Sequence, residues 1–178
     1  MVQSVPTPVL IFDLDSEDAL KRLAGAIGRA WAAAPGVGAV LVGLEGDLGA
    51  GKTTWVRGLL EGLGYTGRVP SPTYTLLEHY DLDGLDVVHV DLYRLGSGEA
   101  DPDARGEVEA LGLRDWLDRD RCWLFVEWPR RSAELLARCD VLVKLSAGQT
   151  AESRRFELEA CSSAGEAVLS RLEGLSEP

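Results

Sequence analysis

Residues 46–53, Gly46-Asp47-Leu48-Gly49-Ala50-Gly51-Lys52-Thr53, have the spacing G-x-x-x-x-G-K-S/T. Each element of this pattern does something that an ordinary turn does not need. The glycines let the backbone fold into a nest of N–H groups that can approach an anion without a side-chain clash. Lys52 adds a point charge suited to β- and γ-phosphates, and the Thr53 hydroxyl suits a Mg²⁺ position. The plainer reading is a glycine-rich turn with a stray lysine. Context argues against it, because an apolar run precedes the loop and a helical pattern follows.

A phosphate loop alone binds nucleotide, whereas hydrolysis needs groups that hold metal and position water. In open α/β sheets such groups belong at the carboxyl ends of neighbouring strands. Two apolar stretches end in a carboxylate: Val87-Val88-His89-Val90 runs into Asp91, and Trp123-Leu124-Phe125-Val126 runs into Glu127. An acid after a mostly apolar strand is the Walker B arrangement, which holds Mg²⁺ directly or through water. Either carboxylate alone could be a solvated strand end. Both together, beside a phosphate loop, point to metal-dependent nucleotide chemistry.

Pro70-Ser71-Pro72-Thr73-Tyr74-Thr75 follows the loop helix. Its prolines restrict the backbone, and the hydroxyls of Ser71, Thr73 and Thr75 could reach a γ-phosphate or its metal. Such a segment would act as a switch that orders on triphosphate. The alternative is a stiffened crossover with no ligand contact. His89, inside a strand, reads as a hydrogen-bonded core histidine, and His79 as a surface residue. Phosphoryl transfer depends on positioning and charge, so it requires neither. No arginine finger stands out; Arg57 and Arg94 are possible.

The elements that must position these groups alternate. Val9 to Leu14 reads as a strand. Ser16 is a good N-cap for a helix whose apolar stripe is Leu20, Leu23, Ala24, Ile27, Trp31 and Ala34. Val37 to Glu45 is a near-continuous apolar run, as in a buried parallel strand. Trp55, Val56, Leu59, Leu60 and Leu63 then recur at helical spacing up to Gly64. Thr75–Tyr80 and Asp86–Asp91 flank Asp81-Leu82-Asp83-Gly84, a hairpin signal. Gly96 to Gly106 is acidic and loop-like, and a short helix ends near Leu117.

Arg121–Trp128 is a further apolar strand, and Val141–Leu145 with Arg155–Ala160 read as a half-exposed antiparallel pair. A last helix covers Ser163–Leu172. The fold class is α/β: a P-loop NTPase-like sandwich with a parallel central sheet and antiparallel additions. One domain is expected over residues 1–178, with 1–6 and 173–178 flexible.

Apolar residues make up 46% and charged residues 26%, a globular composition. No apolar run would span a bilayer, and Met1 to Pro8 lacks a signal-peptide layout. Cys122, Cys139 and Cys161 are widely spaced and form no C-x-x-C pair, so they read as buried reduced thiols in a cytoplasmic protein. The net charge of −11 comes with no basic block, which disfavours strong direct tRNA or DNA binding. An acidic surface can dock on basic patches of partner proteins instead.

Four segments together are more specific than the phosphate loop. Residues 46–54, ending in Thr54, are followed by Ser71-Pro72-Thr73-Tyr74-Thr75-Leu76. His89-Val90-Asp91-Leu92-Tyr93-Arg94-Leu95 and Val126-Glu127-Trp128-Pro129 complete the set. In order and spacing they closely resemble the TsaE (YjeE) family, and the likeness extends from the first helix to Ser162-Ser163-Ala164-Gly165. The resemblance implies a Mg²⁺-dependent ATPase acting with two partners, TsaB and TsaD. Together these place a threonylcarbamoyl group on the adenosine next to the anticodon in tRNA. The nucleotide cycle then serves turnover of the complex.

Carried over residue by residue, Gly46, Asp47, Leu48, Gly49, Ala50, Gly51, Lys52, Thr53 and Thr54 bind ATP. Thr53, Asp91 and Glu127 hold Mg²⁺, with Asp91 the Walker B-like acid and Glu127 near the metal or attacking water; Lys52, Asp91 and Glu127 are the catalytic set. Trp128 is a candidate nucleotide contact or else an interior tryptophan. Glu17 and Arg154 are further candidates near the base. The chain departs from the family at Ala19-Leu20, where many members are polar, and at a longer Gly36-Val37-Gly38 link. Two rival readings remain. A small-molecule or nucleoside kinase would share the loop, although the acidic stretch Gly98-Glu99-Ala100-Asp101-Pro102-Asp103 repels an anionic acceptor. An ATP-gated regulatory binding module would bind ATP without hydrolysing it.

Overall fold

The structure, a computed structural model, describes residues 8–33, 38–95, 108–172 and 175. Expectations for residues 1–6, Ala34, Gly36, Val37, the acidic stretch 96–106 and the end of the chain lie outside these residues, Leu175 excepted. Strands β1 (Val9–Leu14), β2 (Val40–Glu45), β3 (Leu77–Leu82), β4 (Leu85–Asp91), β5 (Cys122–Glu127), β6 (Val141–Ala147) and β7 (Arg154–Ala160) form one sheet. The helices are α1 (Glu17–Ala32), α2 (Lys52–Gly62), α3 (Leu113–Leu117), α4 (Ala133–Ala137) and α5 (Ser163–Leu169).

Strand order is β1-β7-β6-β2-β5-β4-β3. The four central strands, β6, β2, β5 and β4, are parallel neighbours, while β3 on one side and β7 with β1 on the other are antiparallel. This is the expected parallel centre with antiparallel additions. Burial on both faces explains the near-continuous apolar sequences of β2 and β5, since each residue meets a layer of side chains. One layer, under α1 and α2, is aromatic: Trp55 lies 5.3 Å from Phe125 and 5.8 Å from Phe156 between ring centroids.

Local chemistry sets the element ends. Ser16 caps α1 by accepting a hydrogen bond from Ala19 N at 3.2 Å. The β3–β4 turn is tighter than its sequence suggests: only Asp83 and Gly84 leave the ladder, both with positive φ, the two-residue geometry that matches strand twist. β3 begins at Leu77, not Thr75, because Leu76 N closes a turn on Pro72 O at 2.7 Å with Leu76 at φ 65°. β2 begins at Val40, and α5 ends at Leu169 in a short 3-10 turn.

Two further expectations are corrected. β6 is mostly buried rather than half-exposed, because side chains cover both of its faces: Val141, Val143 and Leu145 pack in the main core, and Leu142, on the other face, lies near Cys139. Cys161 is exposed, since it falls in the link between β7 and α5; Cys122 and Cys139 are buried, and all three thiols are free. Among the described residues no helix is long and apolar enough to cross a membrane.

Helices α1 and α2 meet through glycine. A Cβ on Gly58 would stand 2.6 Å from Lys21 Cα, and one on Gly62 would collide with the backbone of Gly25. Backbone contact brings α2, and with it the loop at its start, flush against α1. In an isolated helix Gly→Ala stabilises by about 1 kcal/mol. Here Gly58→Ala should instead destabilise the protein by about 1–3 kcal/mol through overpacking. Thermal unfolding checks the sign, and an unchanged or raised midpoint would contradict the contact.

Candidate nucleotide-binding site

The loop leaves β2 at Glu45 and enters α2 at Lys52. Gly46, Gly49 and Gly51 all have positive φ, at 146°, 80° and 106°. Gly46 also has no room for a side chain, since a Cβ there would lie 2.6 Å from Leu145 O. Helices α1, α4 and α5 each begin with a serine whose side chain caps the first turn, Ser16, Ser132 and Ser162. The first turn of α2 has neither a side-chain cap nor an acidic residue. Its free N–H groups and the positive end of the helix dipole face the loop, which is the arrangement that binds phosphate.

Lys52 is 4% exposed. Its Nζ donates to Gly46 O at 2.7 Å and Asp47 O at 3.0 Å, and lies 4.4 Å from the Trp128 ring centre. Burial holds its pKa below the ordinary 10.5, against the opposing charges of Glu127, Asp91 and Asp47. The ammonium therefore rests on the loop's own carbonyls, within reach of an incoming polyphosphate.

Asp91 and Glu127 stand side by side. They close the parallel β4–β5 ladder at the same register, and Glu127 is also the partner of Leu44 on β2. The Thr53 hydroxyl donates to Glu127 Oε1 at 2.8 Å. His89 Nε2 lies 2.9 Å from the same oxygen, and because a carboxylate only accepts, this nitrogen carries the proton. Lys52 Nζ is 4.0 Å from Oε2. Burial opposes ionisation of Glu127, but the hydrogen bonds from His89 and Thr53 and the Lys52 charge outweigh it and keep the carboxyl below its ordinary pKa.

Asp91 reaches the other way. Its Oδ2 accepts from Thr73 Oγ1 at 2.7 Å, its Oδ1 from Tyr93 N at 2.8 Å, and Ser71 Oγ lies 2.8 Å from Thr73 Oγ1. Of the three expected switch hydroxyls, Ser71 and Thr73 thus join the site through Asp91, whereas Thr75 is exposed two residues beyond. The donor set of Thr53, Asp91 and Glu127 is all oxygen, which fits a hard ion such as Mg²⁺ held jointly with phosphate oxygens.

The remaining expectations divide. Trp128 is half-buried at φ 60°, with its ring over Lys52 and 5.2 Å from Tyr93, so it flanks the loop. Arg154 pairs with Leu14 and Ala147 at the sheet edge that carries the loop, but its guanidinium bonds its own turn at Ala151 O and Ser153 O. Glu17 opens α1 near that edge and pairs with Lys21 at 3.1 Å. Neither forms a hydrogen bond or ion pair with the loop. Arg57 is engaged with Val69 O at 3.2 Å, and Arg94 lies over the exposed Tyr74 ring. His79 is a surface residue bonded to Asp86 at 2.6 Å. The bond from His89 to Glu127 is what sequence reasoning missed. Its signal was the two-residue strand period, which puts positions 89 and 91 on one face.

The family model for TsaE, described as threonylcarbamoyl adenosine biosynthesis protein TsaE, matches residues 14–156. A tRNA threonylcarbamoyladenosine biosynthesis protein TsaE from Haemophilus influenzae is 43% identical over 132 residues, covering 74% of this chain and 77% of that one. The Bacillus subtilis protein of the same name is 37% identical over 123 residues, 65% of this chain and 72% of its own. Bacillus subtilis YdiB, a crystal structure, superposes with a TM-score of 0.67 at 26% identity, covering 96% of this chain and 97% of that one. The chain therefore belongs to the TsaE family of threonylcarbamoyl adenosine biosynthesis proteins.

Proposed function

We propose that this chain binds ATP with Mg²⁺ and hydrolyses it to ADP and phosphate. It would do so as the ATPase subunit of a complex with TsaB- and TsaD-like proteins, in support of threonylcarbamoylation of the adenosine next to the anticodon in tRNA. The observation that carries the enzymatic reading is one convergence of bonds. Thr53 of the phosphate loop ties to Glu127, Thr73 of the following segment ties to Asp91, and the two carboxylates share a register. A loop that only bound nucleotide would not need both acids buried at 3% and 4% exposure.

The roles follow from position. Lys52 leaves the Gly46 and Asp47 carbonyls for the β- and γ-phosphates, and the N–H groups of residues 46–54 cradle them. Mg²⁺, held by Thr53, Asp91 and Glu127, would neutralise charge on the β- and γ-oxygens. Asp91 links this region to Thr73, so the Ser71–Thr75 segment would respond to the γ-phosphate and supply a nucleotide-dependent surface to partners. Trp128 would cover the phosphates from the side of Tyr93. Net charge −11 supports a tRNA link through partners rather than by direct binding. Free thiols fit a cytoplasmic setting.

Two tests bear on this reading. Glu127→Gln should retain ATP binding in EDTA but lose hydrolysis by about 10²–10⁴-fold, as for loss of a group that positions water. Asp91→Asn should raise the Mg²⁺ concentration that gives half-maximal activity. Steady-state assays across a Mg²⁺ series check both, and identical titrations for wild type and both variants would contradict the metal roles.

The second test uses pH. In the free protein the Lys52 pKa lies below 10.5, and phosphates would raise it in the complex. Binding should therefore take up protons between those two values, and ATP affinity should fall as pH rises through the lower one. Calorimetry in alkaline buffers of different ionisation enthalpy reads the uptake directly. It should vanish in Lys52→Ala, and proton release by the wild type would contradict the assignment.

A further inference from the structure

We infer that His89 is a positioning residue for Glu127, an inference that rests on the Mg²⁺-ATP reading above. His89 is 0% exposed, and its Nε2–H donates to Glu127 Oε1 at 2.9 Å. Its Nδ1 is buried without a hydrogen-bond partner. For packing alone an apolar side chain would fill this place without the desolvation cost of an unpaired nitrogen. What the imidazole adds is the bond to Glu127.

That bond has a specific use. Thr53 and His89 hold the same oxygen, so Glu127 keeps a donor when the Thr53 hydroxyl turns to a ligand. With Oε1 anchored, Oε2 stays directed to the side of Lys52, 4.0 Å away. The strand geometry makes the support rigid. Positions 89 and 91 lie on one face of β4, Asp91 is level with Glu127 on β5, and Phe125 is level with His89. His89 thus acts from behind the carboxylate, as the outer partners of metal-holding groups do.

The test is calorimetric titration of adenylyl imidodiphosphate, a non-hydrolysable ATP analogue, in EDTA and across a Mg²⁺ series. In His89→Leu, affinity in EDTA should be unchanged, while the half-saturating Mg²⁺ concentration should rise by about 10–100-fold. His89→Gln should recover most of that loss, because its amide nitrogen can reach the position of Nε2. A merely core-filling role gives the reverse pattern, with Leu silent and Gln impaired, and would overturn the inference. Should His89→Leu fail to fold by circular dichroism, His89→Gln and His89→Asn decide. The Asn nitrogen reaches only as far as Nδ1, so Gln near wild type with Asn impaired supports positioning, and equal behaviour refutes it. No Mg²⁺ effect in the wild type would sink the metal reading and the inference with it. A wild-type effect that folded His89→Leu leaves intact would overturn the inference alone.

Discussion

A carboxylate with 4% exposure cannot stay ionised without partners, and Glu127 has two hydrogen bonds on Oε1 and the Lys52 ammonium 4.0 Å from Oε2. Thr53, His89 and the Lys52 charge together keep it below its ordinary pKa despite burial. This buried carboxylate joins the parts of the site. Thr53 belongs to the phosphate loop, His89 to β4 and Glu127 to β5. Moving any of these elements relative to the others would strand a charge in the interior, at a cost of several kcal/mol. The site geometry and the sheet geometry are therefore held by the same bonds.

The sheet provides the register and the helices provide the pressure. β2 lies between β5 and β6, so the loop that leaves it emerges beside Glu127 and, one strand further, Asp91. On the opposite side of β2, Leu145 O closes against Gly46, and Leu20 of α1 lies against Gly51. The backbone contact of α1 with α2 through Gly25, Gly58 and Gly62 fixes the depth at which α2 begins. Because Asp91 also binds Thr73, the route from the loop to the Ser71–Thr75 segment is short: Thr53, Glu127, Asp91, Thr73. Its first and last steps are hydrogen bonds, and its middle step is strand register.

Much of this was legible in the sequence because it is local. The phosphate loop, the Ser16 cap and a hairpin turn within Asp81–Gly84 are set by residues within a few positions of one another. Asp91 and Glu127 could be placed at strand ends from apolar runs alone. What could not be read is long-range. The helix glycines look like weak points until α1 and α2 are seen in contact. The burial of β6 depends on what packs over its two faces, which the alternation of its own residues does not disclose. Thr73 reaches Asp91 from within a turn that Leu76 closes on Pro72 at a positive φ, which the pattern did not signal. The pairing of His89 with Glu127 required knowing that β4 and β5 are adjacent.

In the function proposed above, ATP turnover at this site serves modification of tRNA. The direct measurement is ATP hydrolysis by the purified chain alone and with TsaB- and TsaD-like proteins, in reactions that contain tRNA and a preformed threonylcarbamoyl donor and in which threonylcarbamoylated tRNA is also counted. Hydrolysis should depend on Mg²⁺, and repeated rounds of tRNA modification should stop when ATP is replaced by a non-hydrolysable analogue. Tight ATP binding with no hydrolysis in either setting, or modification that continues undiminished with the analogue, would contradict it.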